Sequence, residues 1–336
     1  MRTRLLSISL IGALSGCAAE TVERPAPPPV DWRSLEQRSA PVAPDRTAAT
    51  LQERAVAGAW AKAMDSPDFA GLAPLLDEEV HFRFAAARDV HGRDEVIQAH
   101  RALLGAYERR HFQLTRVLMT DSSQVLEWTA SAVDKGTKKP VAWKGLTLLW
   151  TRDDGSIADC HLYYDEAVLE AQVGKGPGEF PGPPPVPAIP GGAIEEVEQR
   201  RTGDESAEVA TVRAALQALE DGDEAAYLNA FADDVEVSTL EKAEPARGKA
   251  SEKAGFKAMR GAIGYLATSV ENRWGVGRYV VVEYQIVGEQ RRPIGWIPMH
   301  KGSLIKHVIV DVIDMRGGRI ARVSRYDDPI QIAAPL

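Results

Sequence analysis

The sequence predicts an α+β fold built twice in one chain. Three observations predict it. A tract rich in proline and glycine, 174–204, separates two bodies of ordinary domain size, 47–173 and 205–336. Short motifs recur in the same order in both bodies. In each body helix-period stretches come first and β-rich stretches follow, which is the α+β pattern.

The repeat is read from five matches. Asp77-Glu78-Glu79-Val80-His81-Phe82 lines up with Ala232-Asp233-Asp234-Val235-Glu236-Val237, and His91-Gly92-Arg93 with Arg247-Gly248-Lys249. Glu127-Trp128 matches Glu283-Tyr284, Ile157-Ala158 matches Ile320-Ala321, and Tyr163-Tyr164-Asp165 matches Tyr326-Asp327-Asp328. Ordered agreement at every one of these places is the mark of internal duplication.

Each body opens with a helix, carrying Val56, Trp60 and Ala63 or Val209, Val212, Leu216 and Leu219 at helical spacing. A short second helix is expected around Leu72, Leu75 and Leu76, or around Tyr227, Leu228 and Phe231. A strand follows in which Val80, Phe82 and Phe84 alternate with His81 and Arg83. Gly92 or Gly248 then leads into a third helix, with Val96, Ile97, Leu103 and Leu104 in one body and Phe256, Met259 and Ile263 in the other. Four β-rich runs complete each body: 112–120, 124–133, 141–151 and 157–164, then 268–275, 278–287, 304–314 and 319–326. Asp154-Gly155 and Gly317-Gly318 read as hairpin turns between the last two runs.

This order resembles the NTF2-like fold, and His91-Gly92-Arg93-Asp94-Glu95, Gly155-Ser156-Ile157-Ala158 and Gly318-Arg319-Ile320-Ala321 are similar to its SnoaL-like branch. The resemblance implies two cones, each about three N-terminal helices on a curved, mostly antiparallel sheet, with an apolar pocket at the mouth. It also implies a family of polyketide cyclases, isomerases, epoxide hydrolases and binding-only domains that commonly dimerise through the sheet. The duplication therefore admits a pseudo-dimer within the chain or a homodimer.

Cyclase-type members carry a last strand reading Ile-x-x-His-Trp-x-x-x-Asp. Here the aligned residues are Ile157, Cys160, His161 and Asp165, then Ile320, Val323, Ser324 and Asp328. The Asp is kept twice and the His is missing from its place twice. His161 stands one position on, which is the opposite strand face. His161, Tyr163 and Asp165 form a polar row, read as a pocket rim or an interface. In the second body His307 and Asp311 share a face about 13 Å apart at the ordinary strand rise, so each needs another partner such as Glu283. Asp311 in an apolar cavity would be poised as a general base, with His307 and Asp328 beside it as the catalytic candidates. The first-body counterparts are read as Lys144 and Leu148. Tyr284, Glu283, Trp128, His161 and Tyr163 are the candidates for ligand contact, and Trp296, in a longer loop, is a candidate lid.

The N-terminus carries Arg2 and Arg4, a short apolar run and Leu14-Ser15-Gly16-Cys17, which is similar to the lipobox of bacterial lipoproteins. That implies a signal over 1–17, a lipid on Cys17 as membrane anchor, and a Pro-rich tether over 18–46. Ala18 and Ala19 follow the cysteine without Asp, which in the common Gram-negative sorting pattern favours the outer membrane, so the resemblance implies a lipid-anchored envelope protein and not a cytoplasmic one. The net charge of −8 argues against a nucleic-acid partner. Two cysteines make neither a disulfide framework nor a thiolate zinc site. No Gly-x-Ser-x-Gly, His-Glu-x-x-His or phosphate loop occurs, and the seven histidines are scattered, so neither metal nor cofactor is expected. The function expected is a membrane-anchored, non-catalytic binding protein for a small apolar ligand or an envelope protein. The alternative is a SnoaL-like isomerase, cyclase or hydrolase working by Asp/His proton transfer.

Overall fold

The computed structural model describes residues 46–84, 88–120, 123–175, 192–294, 297 and 303–329. Cys17, the 18–46 tether apart from its last residue, and Trp296 lie outside the described residues.

The first domain runs α1 (Arg46–Asp65), a 3₁₀ turn (Ala70–Leu75), β1 (Leu76–Phe84), β2 (Arg88–His91), α2 (Arg93–Leu104), β3 (Tyr107–Met119), β4 (Ser123–Asp134), β5 (Pro140–Thr151), β6 (Ile157–Tyr163) and α3 (Glu166–Val173). The second runs α4 (Gly203–Asp221), α5 (Glu224–Asn229), β8 (Phe231–Ser238), β9 (Ala246–Arg247), α6 (Gly248–Ala262), β10 (Ile263–Val276), β11 (Tyr279–Gln290), β12 (Leu304–Arg316) and β13 (Arg319–Asp327). The first sheet is ordered β2-β1-β6-β5-β4-β3 and the second, read from the matching edge, β9-β8-β13-β12-β11-β10. Topology therefore repeats as the motifs do. The pairs β1–β6 and β8–β13 are parallel, and the other pairs within each set of six are antiparallel.

Local chemistry accounts for the elements. Thr202 and Glu205 form a reciprocal capping box at the start of α4. Gly317 and Gly318, at φ 59° and 71°, make the two-residue turn whose left-handed residues match the strand twist. Curvature also repeats. β3 breaks register between Glu108 and His111 with Arg109 at φ 55°, and β10 between Gly264 and Ala267 with Tyr265 at φ 53°. Both strands carry a second bulge, at Leu114/Arg116 and Val270/Asn272. Bulges bend a strand and curl the sheet.

Each sheet folds over its own helices on a separate core. The first holds Trp60, Phe82, Phe112, Trp128, Trp143 and Tyr164, the second Val212, Leu219, Phe256, Tyr284 and Ile309. The opposite faces of the two sheets share a third core. Leu118, Val125, Leu146, Leu148 and Tyr163 pack there with Val281, Val308, Val310, Val312 and Tyr326. Trp150 and Trp274 meet across it with ring centroids 5.9 Å apart. The central strands are thus buried on both faces, which explains runs such as Leu146-Thr147-Leu148-Leu149 and Val308-Ile309-Val310.

Three expectations need correction. Residues 174–204 are not wholly a separator, because β7 (Glu195–Glu198) adds to the first sheet as an edge strand parallel to β3. Ile263 does not continue α6; at φ −117° it ends the helix and begins β10, as a β-branched residue readily does. Leu76 belongs to a strand, and the element before it is a 3₁₀ turn with Pro74 inside.

Candidate functional site

The strand period places Ile309, Asp311 and Ile313 of β12 inside the second cone, while Val308, Val310 and Val312 face the other sheet. Asp311 is 4 % exposed and fully engaged. Arg325 on β13 forks it, Nε to Oδ1 at 2.9 Å and Nη2 to Oδ2 at 2.8 Å. Tyr284 on β11 donates its hydroxyl to Oδ2 at 3.0 Å. Burial, with Asp311 beside it, pushes the Tyr284 phenol well above its ordinary range against the pull of Arg325, so it stays a donor. Across the cavity Tyr227 donates to Glu252 at 3.3 Å, and burial raises the Glu252 carboxyl. Leu216, Leu219, Val282, Ile313 and Val323 complete the wall around about 40 Å³ of free space. That is room for water or a small group. The anticipated lone buried base is therefore an ion pair, because β13 supplies an arginine directly opposite Asp311 in register.

The first cone lacks this network. Register pairs Glu127 with Leu146 and Glu283 with Val310, so the counterpart of Asp311 is Thr147 and that of His307 is Trp143. The expected counterparts, Lys144 and Leu148, are one position off, which on a strand is the wrong face. Trp128 donates Nε1 to Thr147 Oγ1 at 3.0 Å, in the place where Tyr284 meets Asp311. Leu162 stands where the second domain has Arg325. Trp60, Phe112 and Trp143 surround Trp128. Trp128 is thus a core residue packed among aromatics.

The remaining predicted residues sit elsewhere. Glu283 neighbours neither Asp311 nor His307; it points from the opposite face of β11 into the seam between the sheets. There it is fully buried and accepts from Tyr163, from Arg83 Nη2 at 2.7 Å and from Asn272, with His161 Nδ1 at 2.8 Å. Against the burial penalty, His161 and Arg83 hold its carboxyl down at about 2. His161 and Tyr163 are accordingly seam residues rather than a pocket rim. Asp165 turns away to cap α3, accepting from Ala167 and Val168. His307 lies with Nε2 3.0 Å from Asp327 Oδ2, outside hydrogen-bond alignment, and is not part of the cavity wall. Asp328 is buried next to Asp327 at the end of β13. Cys160 is a core residue whose thiol is pushed up by burial, which leaves it unreactive.

A larger open groove of about 950 Å³ is lined by Arg54, Glu195, Glu198, Glu205 and Arg278 among others. Its lining is mostly charged or polar, with ion pairs such as Arg54–Glu196 at 2.6 Å and only Val197 and Tyr279 as larger apolar groups, so it lacks the apolar wall of a small-ligand site. Sequence reasoning missed Arg325 and Glu252. Their signal was a single arginine and a single glutamate on faces otherwise apolar, visible only once register is known.

The family model described as the SnoaL-like domain matches the chain twice, over 57–160 and 212–323. The chain belongs to the SnoaL-like family. A search of curated proteins found no match. Among solved structures, this SnoaL-like chain is similar to a putative SnoaL-like polyketide cyclase from Jannaschia sp. CCS1, at 20% identity over 41% of this chain and 99% of that one, TM-score 0.37. It is similar to an LEH-like epoxide hydrolase of M. tuberculosis at 18% identity, covering 38% and 86%, TM-score 0.32. It is also similar to a hypothetical protein of ketosteroid isomerase-like fold from Catenulispora acidiphila, in complex with trimethylamine, at 24% identity, covering 36% and 93%, TM-score 0.34. No helix among the described residues is long and apolar enough to cross a membrane.

Proposed function

We propose that the protein binds a small, mostly apolar ligand with one polar group in its second cone, while its first cone serves as a structural partner. The supporting observation is the exchange of Trp128, Thr147 and Leu162 in one domain for Tyr284, Asp311 and Arg325 in the other. A buried ion pair with a tyrosine is costly to build and adds little net stability, so its presence in one cone alone points to recognition. The reading is non-catalytic because Asp311 gives three of its about four lone-pair sites to Arg325 and Tyr284, where a base would keep its carboxylate free for the substrate proton. On this reading a lipid on Cys17 and the 18–46 tether hold the two domains at the outer membrane of the cell envelope.

Glu252 favours a second reading. Its carboxyl, raised by burial, faces the same cavity beside Tyr227, as a proton-transfer group would.

Native mass spectrometry of the full chain isolated from its source tests the first reading. Excess mass is expected on the wild type and not on Leu216→Trp, where an indole fills the cavity mouth. A bare wild type, or excess mass retained in the variant, overturns it. Turnover of the released ligand, lost in Glu252→Gln, would establish the second reading instead.

A further inference from the structure

Three of the seven histidines, scattered in sequence, converge on the outer face of the first sheet. Register brings them there: on β1 His81 lies opposite His91 of β2 and opposite Asp159 of β6, and His161 is two residues further along β6. Asp159 Oδ1 sits between two rings, 2.9 Å from His81 Nδ1 and 3.3 Å from His161 Nε2. The far nitrogen of each ring also meets a carboxylate, His81 Nε2 with Asp89 and His161 Nδ1 with Glu283, the latter at 2.8 Å.

Proton counting makes this arrangement informative. A neutral imidazole carries one N–H and one lone pair. The two rings here make four contacts with carboxylates and hold two protons between them when neutral. Either at least one ring is a cation, or two ring lone pairs face carboxylates or, at His161 Nδ1, the donor Arg83 Nη2 that lies 3.0 Å away. A metal ion at Asp159 is the resolution that uses both inner lone pairs. It takes the lone pairs of His81 Nδ1 and His161 Nε2 and one oxygen of Asp159. Each ring then gives its single proton to its outer carboxylate, Asp89 or Glu283. Carboxylate–histidine–metal chains of this kind orient and strengthen imidazole ligands.

We propose that His81, Asp159 and His161 form a binding site for a divalent transition-metal ion of the zinc type, with Asp89 and Glu283 as the supporting carboxylates. The three ligand atoms lie within 4.8 Å of one another. Bonds of about 2.0–2.1 Å in tetrahedral geometry need ligand atoms roughly 3.3 Å apart, so closure asks little of the strands. Two imidazoles and one carboxylate suit zinc and its neighbours rather than calcium or magnesium, which prefer oxygen. The positive Arg83 is held by Glu283 at 2.7 Å and Glu271 at 2.6 Å; its Nη2 also lies 3.0 Å from His161 Nδ1, a contact that opens when Nδ1–H donates to Glu283. His81 and Asp159 are partly open to solvent, which provides an entry path and a free coordination position. The exposed trio of His81, Asp89 and His91 is the poorer site, since Asp89 and His91 are 65% and 72% exposed and Asp89 already serves His81. Because Glu283 comes from the second domain, metal at this site ties the two domains together.

The test is zinc titration by calorimetry on the full chain purified without a polyhistidine tag. One equivalent is expected, with a rise in melting temperature. Affinity falls at least tenfold in His81→Gln and in Asp159→Asn and is unchanged in His111→Gln, an exposed histidine elsewhere. Asp89→Asn, on a side chain more exposed than either ligand, weakens zinc about ten- to a hundredfold while its circular dichroism stays native. The absence of stoichiometric binding overturns the proposal. So does unchanged affinity in Asp89→Asn, whatever the folding of the other two variants, or an equal loss in His111→Gln.

Discussion

Tyr163 of the first domain donates its hydroxyl to Glu283 of the second, 120 residues further along the chain. The relation is reciprocated: Tyr326 of the second domain donates to Glu127 of the first at 2.5 Å. The four residues are two repeat-equivalent pairs, so the seam has the two-fold logic of an isologous dimer inside one polypeptide. Sequence divergence has then broken the symmetry. Glu127 is neutralised by Arg116 from its own domain, whereas the place of Arg116 is taken by Asn272 in the second, and Glu283 draws on Arg83 and His161 across the seam.

Removing a hydroxyl from these pairs is therefore expected to weaken the whole two-domain unit. Tyr326→Phe and Tyr163→Phe each lose a hydrogen bond to a buried carboxylate, a change of about 1.5–3 kcal/mol. Glu283→Ala leaves Arg83 to Glu271 alone and takes the acceptor from Tyr163 and Asn272, a larger loss of about 3–5 kcal/mol. Urea unfolding of the full chain measures all three, and an unchanged midpoint for Tyr326→Phe would mean that the pair contributes nothing to the seam.

The second cone makes a different prediction. Asp311→Asn leaves the guanidinium of Arg325 buried without its counter-charge and is expected to destabilise by about 3–5 kcal/mol. The variant is thus a poor test of catalysis. Asp311→Thr combined with Arg325→Leu, which installs the residues of the first cone, removes both charges together. It should lose less than the sum of the two single changes, with a coupling of about 0.5–3 kcal/mol in a double-mutant cycle. Additive losses would show that the ion pair is not a unit.

How far the sequence reaches is clear from the same residues. Helix periodicity, the Gly-Gly turn and the Glu-Trp/Glu-Tyr match were enough for the fold and the duplication. The match even marked the strand that carries Glu283 and Tyr284. What it lacked was strand register. The last hairpin hides a one-residue slip, with five residues between Thr151 and Ile157 against four between Met315 and Ile320, and one residue exchanges the cone face for the seam face. Glu283 was accordingly joined to the wrong neighbours, and Thr147 was overlooked as the counterpart of Asp311. Arg83, His81 and Asp159 come together only through pairing between distant strands, which no local pattern carries.

Gly145 tests the packing of the first cone. It pairs with Trp128, and a Cβ there would lie 2.2 Å from the indole and 2.7 Å from the carbonyl oxygen of Tyr163. The indole has nowhere to move, since Phe112 lies 4.9 Å away and Trp60 6.3 Å away, centroid to centroid. Gly145→Ala is expected to cost about 1–3 kcal/mol, read as a lower melting temperature. An unaltered melting temperature would mean that the core is looser than its contacts indicate.

Asp165 gives the molecule a pH dependence of unusual sign. Burial, followed by the charges of Asp327 and Glu241, pushes its carboxyl up to about 8 against the two backbone N–H groups it caps. Its Oδ1 takes those N–H groups, and among the described residues Oδ2 has no hydrogen-bond partner, so the proton belongs there. The folded chain then keeps a proton that the unfolded chain has released above an ordinary value of 3.8. Stability from this group is complete below that value, declines as pH rises, and is gone once pH passes about 8. Asparagine also caps helices well, so Asp165→Asn keeps the cap and removes the titration. Urea midpoints measured at intervals between acidic and alkaline pH should fall less steeply for Asp165→Asn than for the wild type. Identical slopes would show that Asp165 does not hold the proton, and would point to Glu241, whose carboxyl burial also raises.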